Sequence, residues 1–496
     1  MLMYRAEDLA DVMLHVNQIK EDARGEAERR ELQTTGPQRK RAMEVVNGFI
    51  KAKGRPIIGG MALHYLAIQH DPGSEKVYPD DGPPADVDFY SPQPIQDIMD
   101  IADLLHKQGF KALRATEAVH VETYTVSLDE WRCCDASYME KKIFDRVRAQ
   151  AVNVDGFKVV HPHFMLIDSL RILNDPMFSY FRLDKLFPRT VRLQSMFPLP
   201  LPPHEPGAPR PPVPATTPAT VASMMRTFVR GNRDVVLVGR LAARYYLAHT
   251  AARAPGAADP LDTMLRQRTP PLSPEMPLEL VTTAFKASAP RVMDLLLRDH
   301  AAEQVSYKEY RPFYDFLGQR GDFLVDGVCV VRLLDHDNRC IPLVELPTPG
   351  DGAGGTERGG AFVQIGTFSV VVMYLMIMRF RLGVMEDDAA SSRIRAAIDS
   401  LIYCMYRTRN TYLTLNGASV MDETPFQEFV LSCVGDVRSP RAVREEVGQA
   451  KFRRGIKRFN YDPSKPTKDF DRPDLYCNSS GRQVVNPKQM WYRRPA

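Results

Sequence analysis

Asp86-Val87-Asp88-Phe89-Tyr90 is the run on which the reading of this chain turns. Residues two apart on a strand project from one face, so both carboxylates converge on one side while Val87 and Phe89 enter the core. Two carboxylates on one face repel each other unless a cation lies between them. Magnesium, a hard ion held by one or two carboxylates together with substrate phosphates, meets that need. A surface strand edge bearing two solvated acids is the plainer reading of the same residues, so the flanking sequence has to decide.

Upstream, Pro56-Ile57-Ile58 reads as a strand ending in Gly59-Gly60, ahead of the helical pattern Met61–Gln69. Two glycines at a strand-to-helix turn let backbone approach a ligand closely, and the helix N-terminus behind them offers free N–H groups to phosphate. Gly59 and Gly60 are therefore the phosphate-lining candidates, although many unrelated turns carry a Gly-Gly before a helix. Downstream, Val121–Leu128 alternates as a strand, and Trp131-Arg132-Cys133-Cys134-Asp135-Ala136 reads as the next. Asp135 supplies a third acid. Three acids on adjacent strands can hold two metals roughly 3.5–4 Å apart, the spacing for in-line displacement at phosphorus. Asp129 is a rival third ligand, but it sits at what reads as a hairpin tip.

The order Gly-Gly-helix, strand Asp-x-Asp, strand Asp resembles the nucleotidyltransferase superfamily that includes DNA polymerase β, CCA-adding enzymes and poly(A) polymerases. A closer likeness follows. His161-Pro162-His163-Phe164-Met165-Leu166-Ile167-Asp168 leads into Arg171-Ile172-Leu173-Asn174-Asp175-Pro176 and then Ser179-Tyr180-Phe181-Arg182-Leu183-Asp184-Lys185-Leu186-Phe187-Pro188-Arg189. That run resembles the poly(A) polymerase catalytic subunits of poxviruses and related giant DNA viruses, with conviction over residues 45–195 and weakly beyond.

The resemblance implies that Asp86, Asp88 and Asp135 are catalytic and ligate Mg²⁺ or Mn²⁺, and that Gly59 and Gly60 line the triphosphate of ATP as substrate. Arg182, Lys185 and Arg189 become candidate triphosphate contacts, although cations at such spacing on a helix also form structural ion pairs. Met61 departs from the superfamily, many of whose members place a phosphate-holding Ser after the glycines. His161 and His163 look like a metal pair, yet a phosphoryl-transfer site prefers oxygen ligands, which favours a structural role.

The fold expected is α+β: a nucleotidyltransferase-fold catalytic domain followed by a second, degenerate nucleotidyltransferase-like αβ domain. The boundaries read as an N-terminal helical segment at 1–45, broken near Gly36-Pro37, and a catalytic domain at 46–196. A Pro-rich linker follows at 197–220, then the degenerate domain at 221–431 and a basic tail at 432–496. The second domain rests on an echo at a constant offset of 180 residues, Ile58-Gly59-Gly60-Met61-Ala62-Leu63-His64-Tyr65 against Val238-Gly239-Arg240-Leu241-Ala242-Ala243-Arg244-Tyr245. Chance explains so few identities equally well, and no Asp-x-Asp strand follows the second copy at a comparable distance. Phe323–Leu334 and Arg339–Leu346 read as a strand pair joined by the turn Asp335-His336-Asp337-Asn338. Tyr307-Lys308-Glu309-Tyr310-Arg311-Pro312-Phe313-Tyr314 suits stacking of single-stranded bases, or a helix packing its aromatic side on the core. The Gly-rich run 349–360 lacks the ending of a phosphate-binding P-loop and reads as a linker.

At 496 residues the chain exceeds one ordinary core, and 44% hydrophobic with 25% charged residues excludes a disordered protein. The net charge of +4 is unevenly spread, with fifteen Lys and Arg against seven Asp and Glu from Asp436 onward. A basic tail on a near-neutral body points to a polyanion partner or to a merely solvated tail. Seven cysteines without a C-x-x-C pair argue for reduced thiols in a cytosolic setting. The uncharged run Ala361–Met378 reads as a buried strand and core helix and not as a membrane span.

Nothing in these motifs selects adenine; the resemblance implies template-independent addition of AMP from ATP to RNA 3′ ends by two-metal-ion phosphoryl transfer. Another nucleotide or acceptor, or a non-catalytic RNA-binding subunit on the same fold, are the alternatives. By resemblance alone, the partners are an RNA 3′ end and either a second copy of the chain or a separate processivity subunit, with no membrane. The location so implied is host cytoplasm, viral factory or virion.

Overall fold

The computed structural model describes residues 6–73, 76–79, 84–118, 120, 122–129, 131–199, 216–250, 277–310, 312–314, 316–336, 340–347, 362–385, 389–435 and 459–465, with isolated positions 445, 449 and 453. The Gly-rich run 349–360, most of the Pro-rich stretch and the tail beyond 465 lie outside the described residues. The chain divides into two compact units. The first comprises Met1–Met139, Ala151–Val160 and Glu446–Ala496; the second comprises Glu140–Gln150 and His161–Glu445. This division departs from the boundaries read in the sequence, because residues 161–196 group with the second sheet and part of the tail with the first.

The first unit opens on α1 (Ala6–Lys53), a single helix that runs through Pro37. The expected break at Gly36-Pro37 does not occur. Ala42, Met43, Val46, Phe49 and Ile50 are buried at helical spacing, and that face holds the helix together past the missing amide. There follow β1 (Pro56–Ile58), α2 (Gly59–His70), β2 (Val87–Ser91), α3 (Pro94–Lys107), β3 (Leu113–Glu117), β4 (Thr123–Leu128) and β5 (Trp131–Tyr138). The helix α4 (Lys141–Ala149) belongs to the second unit, and β6 (Val152–Val154) and β7 (Phe157–Val159) return to the first. In α3, Ile95, Ile98, Ile101, Ala102 and Leu105 are buried. Each large aliphatic side chain so covered contributes about 1.5–3 kcal/mol. Asp97 in its first turn accepts from Ser91 Oγ at 2.5 Å and from Arg55 Nη2 at 2.8 Å, which fixes the far end of β2.

The second unit contains α5 (Pro162–Leu173), α6 (Pro176–Ser179), α7 (Leu183–Met196), α8 (Thr216–Met224), β8 (Val235–Val238), α9 (Gly239–Leu247), β9 (Leu278–Thr282) and α10 (Phe285–Asp299). It continues through β10 (Val305–Tyr310), β11 (Arg320–Val325), β12 (Val328–Asp335), β13 (Ile341–Pro347) and β14 (Phe362–Gly366). Then come α11 (Phe368–Met385), α12 (Ala389–Asn416) and β15 (Cys433–Val434). A last strand, β16 (Asn460–Tyr461), pairs antiparallel with β3 and so ties a piece of the basic tail into the first sheet. Tyr461 Oη donates to Asp103, and the Phe459 N–H donates to Glu117 Oε1 at 3.1 Å.

Two sheets of eight strands result, ordered β16-β3-β4-β5-β2-β1-β7-β6 and β10-β11-β12-β9-β8-β14-β13-β15. Apart from β16 and β15 they are the same sheet twice. β2–β5 and β9–β12 are parallel, as are β1–β7 and β8–β14. β1–β2 and β8–β9 are antiparallel, as are β3–β4 and β10–β11, β4–β5 and β11–β12, and β6–β7 and β13–β14. A register shift falls at Val126/Ser127 in one sheet and at Phe323/Leu324 in the other. Thr125 and Asp322, one residue before it in each, face Asp135 and Arg332. Independent chance does not reproduce an irregularity at the same step, so the short echo at Gly239 marks a duplicated fold.

Three expectations for the second unit are corrected. Phe323–Leu334 is two strands around Asp326-Gly327, both residues with positive φ, which is the chemistry of a tight two-residue hairpin. β12 and β13 do not pair, because β9, β8 and β14 lie between them, so residues 335–338 are no hairpin tip; of these, Asp337 and Asn338 lie outside the described residues. Val305–Tyr310 is a strand on the sheet edge, not a helix. The thiols are not all reduced either: Cys340 and Cys433 form a disulfide with Cα atoms 5.3 Å apart. Pairing of β13 with β15 brings them together across a separation of 93 residues, which no local spacing could reveal. Phe362–Gly366 and Phe368–Met385 are the buried strand and core helix expected there, and no helix among the described residues is long and apolar enough to cross a membrane.

Candidate active site

Asp88 is the second residue of β2, and the parallel pairing with β5 sets it opposite Asp135, Cα to Cα. The antiparallel pairing with β1 sets it opposite Ile58 on the other side. The residue after Ile58 is Gly59, with φ +71°, the first residue of α2. A Cβ there would stand 2.5 Å from Asp88 Oδ2, so glycine is required both by the backbone angle and by the carboxylate. Asp88, Asp135 and the Gly59-Gly60 turn are thereby gathered on three neighbouring strands. Asp86, half-buried and one residue ahead of β2, is close enough to act on Asp135 through its charge.

Val87 and Phe89 are buried as the alternation predicts, whereas Asp88 is half-exposed. Asp135 is different: it is buried, and its Oδ1 has no hydrogen-bond partner. Thr125, its register partner on β4, donates its hydroxyl to the Cys134 carbonyl at 3.2 Å. Burial pushes the Asp135 carboxyl above its ordinary range and Asp86 adds to this, while Thr125 and Arg132, whose Nη1 is 3.8 Å from Oδ2, pull it down. A buried carboxylate oxygen without a donor, beside other acids, is chemically suited to a cation. The donors are all carboxylate oxygens, the set a hard divalent ion prefers. As the side chains stand, no group of three or more His, Cys, Asp or Glu among the described residues is close enough to hold a metal ion. Asp129 is exposed in the β4–β5 turn with φ +55° and takes no place among these acids.

The remaining candidates lie in the second unit. Arg182 ends a short 3-10 turn, with its guanidinium carbon 5.4 Å from the Phe181 ring centroid. Lys185 is exposed on α7, and Arg189 lies one turn further along it. Tyr180 and Phe181 beside them are exposed, at 72% and 55%. His161 caps α5, its Nδ1 accepting the His163 N–H at 3.1 Å. Burial holds the His161 imidazole down to about 4 and also lowers His163, so both rings are held neutral.

No local motif marks what stands at the corresponding place in the second sheet. Val238 faces Glu279 as Ile58 faces Asp88, and Gly239, φ +67°, lies against the Glu279 carboxylate. Pro277 replaces Asp86, Glu279 replaces Asp88, and Arg332, the register partner of Glu279, replaces Asp135. Carrying the offset-180 echo forward along the strands would have located Glu279 only after the two sheets were aligned by pairing. The strand that pairs with β8, Leu278-Glu279-Leu280-Val281-Thr282, carries one acid and no Asp-x-Asp.

A family model described as "Poly(A) polymerase catalytic subunit" matches residues 44–179, and one described as "APMV, Putative poly(A) polymerase, catalytic subunit, C-terminal" matches residues 274–494. The chain is similar to a protein of Acanthamoeba polyphaga mimivirus named "Putative poly(A) polymerase catalytic subunit", 27% identical over 488 residues, which are 93% of this chain and 80% of that one. An African swine fever virus protein of the same name, from isolate Pig/Kenya/KEN-50/1950, is 37% identical over 123 residues, 25% of each chain. Among solved structures, the Megavirus polyadenylate synthase matches with a TM-score of 0.74 at 23% identity, over 93% of this chain and 87% of that chain.

Proposed function

Because this chain belongs to the poly(A) polymerase catalytic subunit family, we propose that the first sheet carries its adenylyl transfer, with Asp86, Asp88 and Asp135 as the working acids. The observation that carries the assignment is the register pairing of Asp88 with Asp135 beside Gly59, with the Asp135 Oδ1 buried and unpartnered. The acceptor is an RNA 3′ end and the donor is ATP. The 3′-oxygen bonds to the α-phosphorus, the α–β bridge breaks, and pyrophosphate departs while the hydroxyl proton is lost to solvent.

Asp86, Asp88 and Asp135 would hold Mg²⁺ or Mn²⁺. When bound, such ions supply Lewis-acid neutralisation of the phosphate charge and a lowered hydroxyl pKa. The chain's own contribution is positional. The Gly59-Gly60 turn lets phosphate oxygens come close to the backbone, and the first N–H groups of α2 face them, which replaces the hydroxyl that Met61 lacks. Arg182, Lys185 and Arg189 enter as cations for the triphosphate on the strength of family resemblance, so their substitution should raise KM for ATP.

The test is extension of a short RNA primer with each nucleoside triphosphate separately, with Mg²⁺ or Mn²⁺, beside Asp88→Ala. Ladders with ATP that vanish in the variant support the assignment, and retained activity in Asp88→Ala removes it. Extension by another nucleotide would keep the site and change the substrate. Assembly as a homodimer or with a separate processivity subunit, and residence in host cytoplasm, viral factory or virion, are proposals of the same kind. Sedimentation of the purified chain decides the first.

A further inference from the structure

We propose that the exposed rings of Tyr180 and Phe181, just ahead of α7, are a platform on which unpaired bases of single-stranded RNA stack, a proposal that rests on RNA being the acceptor. Between residues 180 and 191 four large apolar side chains are exposed: Tyr180 at 72%, Phe181 at 55%, Phe187 at 40% and Val191 at 51%. Single exposed apolar residues are ordinary on a protein surface, whereas a contiguous group marks a place where something binds. The helix itself is docked on its inner side, where Thr190 and Leu193 are buried.

The two rings brace each other. Tyr180 opens the 3-10 turn Tyr180–Arg182, and its ring meets that of Phe181 edge to face, with centroids 5.6 Å apart and planes at 83°. That geometry, at these exposures, leaves ring surface for a base to cover. Phe181, Lys185, Arg189 and Arg192 follow at i, i+4, i+8 and i+11, which puts them on one face of a helical path. Tyr180, Phe187 and Val191, at i, i+7 and i+11, share another face. The first face runs from a ring to cations, with Lys185 exposed, and the second is apolar. Three cations and one acid, Asp184, lie within α7. Bases strung on phosphates present both chemistries along one line, and single-strand binding surfaces combine rings with cations for that reason.

Extent separates a strand from a free nucleotide. Residues 180 to 187 advance about 10 Å along a helical path, and the Phe187 ring at the far end is 5.8 Å, centroid to centroid, from that of Phe429. One base does not reach from Tyr180 to Phe187, whereas successive bases of a strand do. Lys185 and Arg189 suit either phosphate chain, a triphosphate or an RNA backbone, so the rings carry the assignment. Every base has a π-face, so stacking here would accept any acceptor sequence.

Titration of fluorescein-labelled single-stranded RNA with the full chain, followed by anisotropy in EDTA without nucleotide, tests this. Expected are weakening of about tenfold in Tyr180→Ala and in Phe181→Ala, and wild-type affinity in Tyr180→Phe and Phe181→Tyr. Phe181→Leu, which keeps apolar bulk without a π-face, should bind as weakly as Phe181→Ala. The slope of log affinity against log salt should be unchanged in the ring variants, because no phosphate contact is lost. Asp88→Ala should bind RNA as the wild type does, so its loss of extension tests the acids and the ring variants' loss of affinity tests the platform. In extension assays the ring variants should raise KM for primer and leave KM for ATP unchanged. RNA affinity unaltered in both alanine variants, or Phe181→Leu as good as wild type, overturns the proposal. A raised KM for ATP with unaltered RNA affinity also overturns it and makes the base of ATP the stacked group. Altered sedimentation with unaltered RNA affinity overturns it in favour of a contact between protein chains. Should an alanine variant fail to fold, Phe181→Leu against Phe181→Tyr decides.

Discussion

Arg332 Nη1 lies 3.2 Å from Glu279 Oε1, across the parallel pair β9–β12 and at the register step that corresponds to the one setting Asp88 beside Asp135 across β2–β5 in the first sheet. The fold has kept the geometry and changed the charge. Where the first sheet juxtaposes two acids, which repel, the second juxtaposes an acid and a base, which attract. The glycine before the helix is retained in both, because Gly239 meets the Glu279 carboxylate as Gly59 meets that of Asp88. One strand position therefore carries an acid that faces another acid in the first sheet and an acid that faces an arginine in the second.

Arg332→Met should consequently unfold the second unit more readily. The substitution leaves Glu279 and Asp322, each about nine-tenths buried or more, with a lost partner. Breaking one side of a buried pair costs about 3–5 kcal/mol. Urea denaturation should show that loss, and a double variant that also neutralises both acids, Glu279→Gln with Asp322→Asn, should recover part of it. A single variant as stable as wild type would show that the network contributes nothing to folding.

Asp135→Asn should separate stability from activity. Burial and Asp86 raise the Asp135 carboxyl, so between its unfolded and folded pKa the native state binds more protons and stability falls as pH rises. Above that window the penalty remains, and the amide removes it. At neutral pH without divalent metal, the variant should therefore melt at or above the wild-type temperature, while primer extension is abolished. Addition of Mg²⁺ or Mn²⁺ should raise the melting temperature of wild type more than that of the variant. A variant that extends primer normally would remove Asp135 from the site.

The strands and the turn that bring the candidate site together were legible because their signals are local. Asp86 and Asp88 are two residues apart, Gly59-Gly60 ends a short apolar strand, and Asp135 sits in an alternating run. Pairing partners were not legible, since they depend on which strand lies beside which. That β5 adjoins β2 follows from a parallel crossover, and β16 reaches β3 over more than three hundred residues. Asp326-Gly327 has hairpin chemistry, but the apolar residues on either side read as one continuous strand. The Pro37 break failed for the opposite reason, with buried contacts outweighing a local preference. Arg332 carried no signal at all until register placed it opposite Glu279.

Gly59→Ala should impair catalysis more than folding. A side chain there is strained by the positive φ, at a cost of about 1–2 kcal/mol, and it must push the Asp88 carboxylate aside. Displacing a catalytic group by about 1 Å can lower the rate about 100-fold. Steady-state extension assays should show kcat falling by that order in protein that still melts cooperatively. Unchanged kcat would mean that Asp88 does not act from the position it occupies beside this turn.

Acid should loosen the second unit through His161. Its imidazole titrates at about 4 in the fold against 6.5 when free, because burial and the neighbouring His163 and Arg379 disfavour its charged form. Between those values the unfolded chain binds the extra proton, so stability is full above about pH 6.5 and is lost as pH falls towards 4. The same Nδ1 that would be protonated accepts the His163 N–H at the start of α5, so charging it also removes the cap. The loss should be on the order of 1–3 kcal/mol by pH 4, read as a falling urea midpoint. His161→Asn retains a strong capping acceptor and cannot titrate, so its midpoint should vary less over this range. Parallel pH profiles for the two proteins would assign the acid sensitivity to other groups.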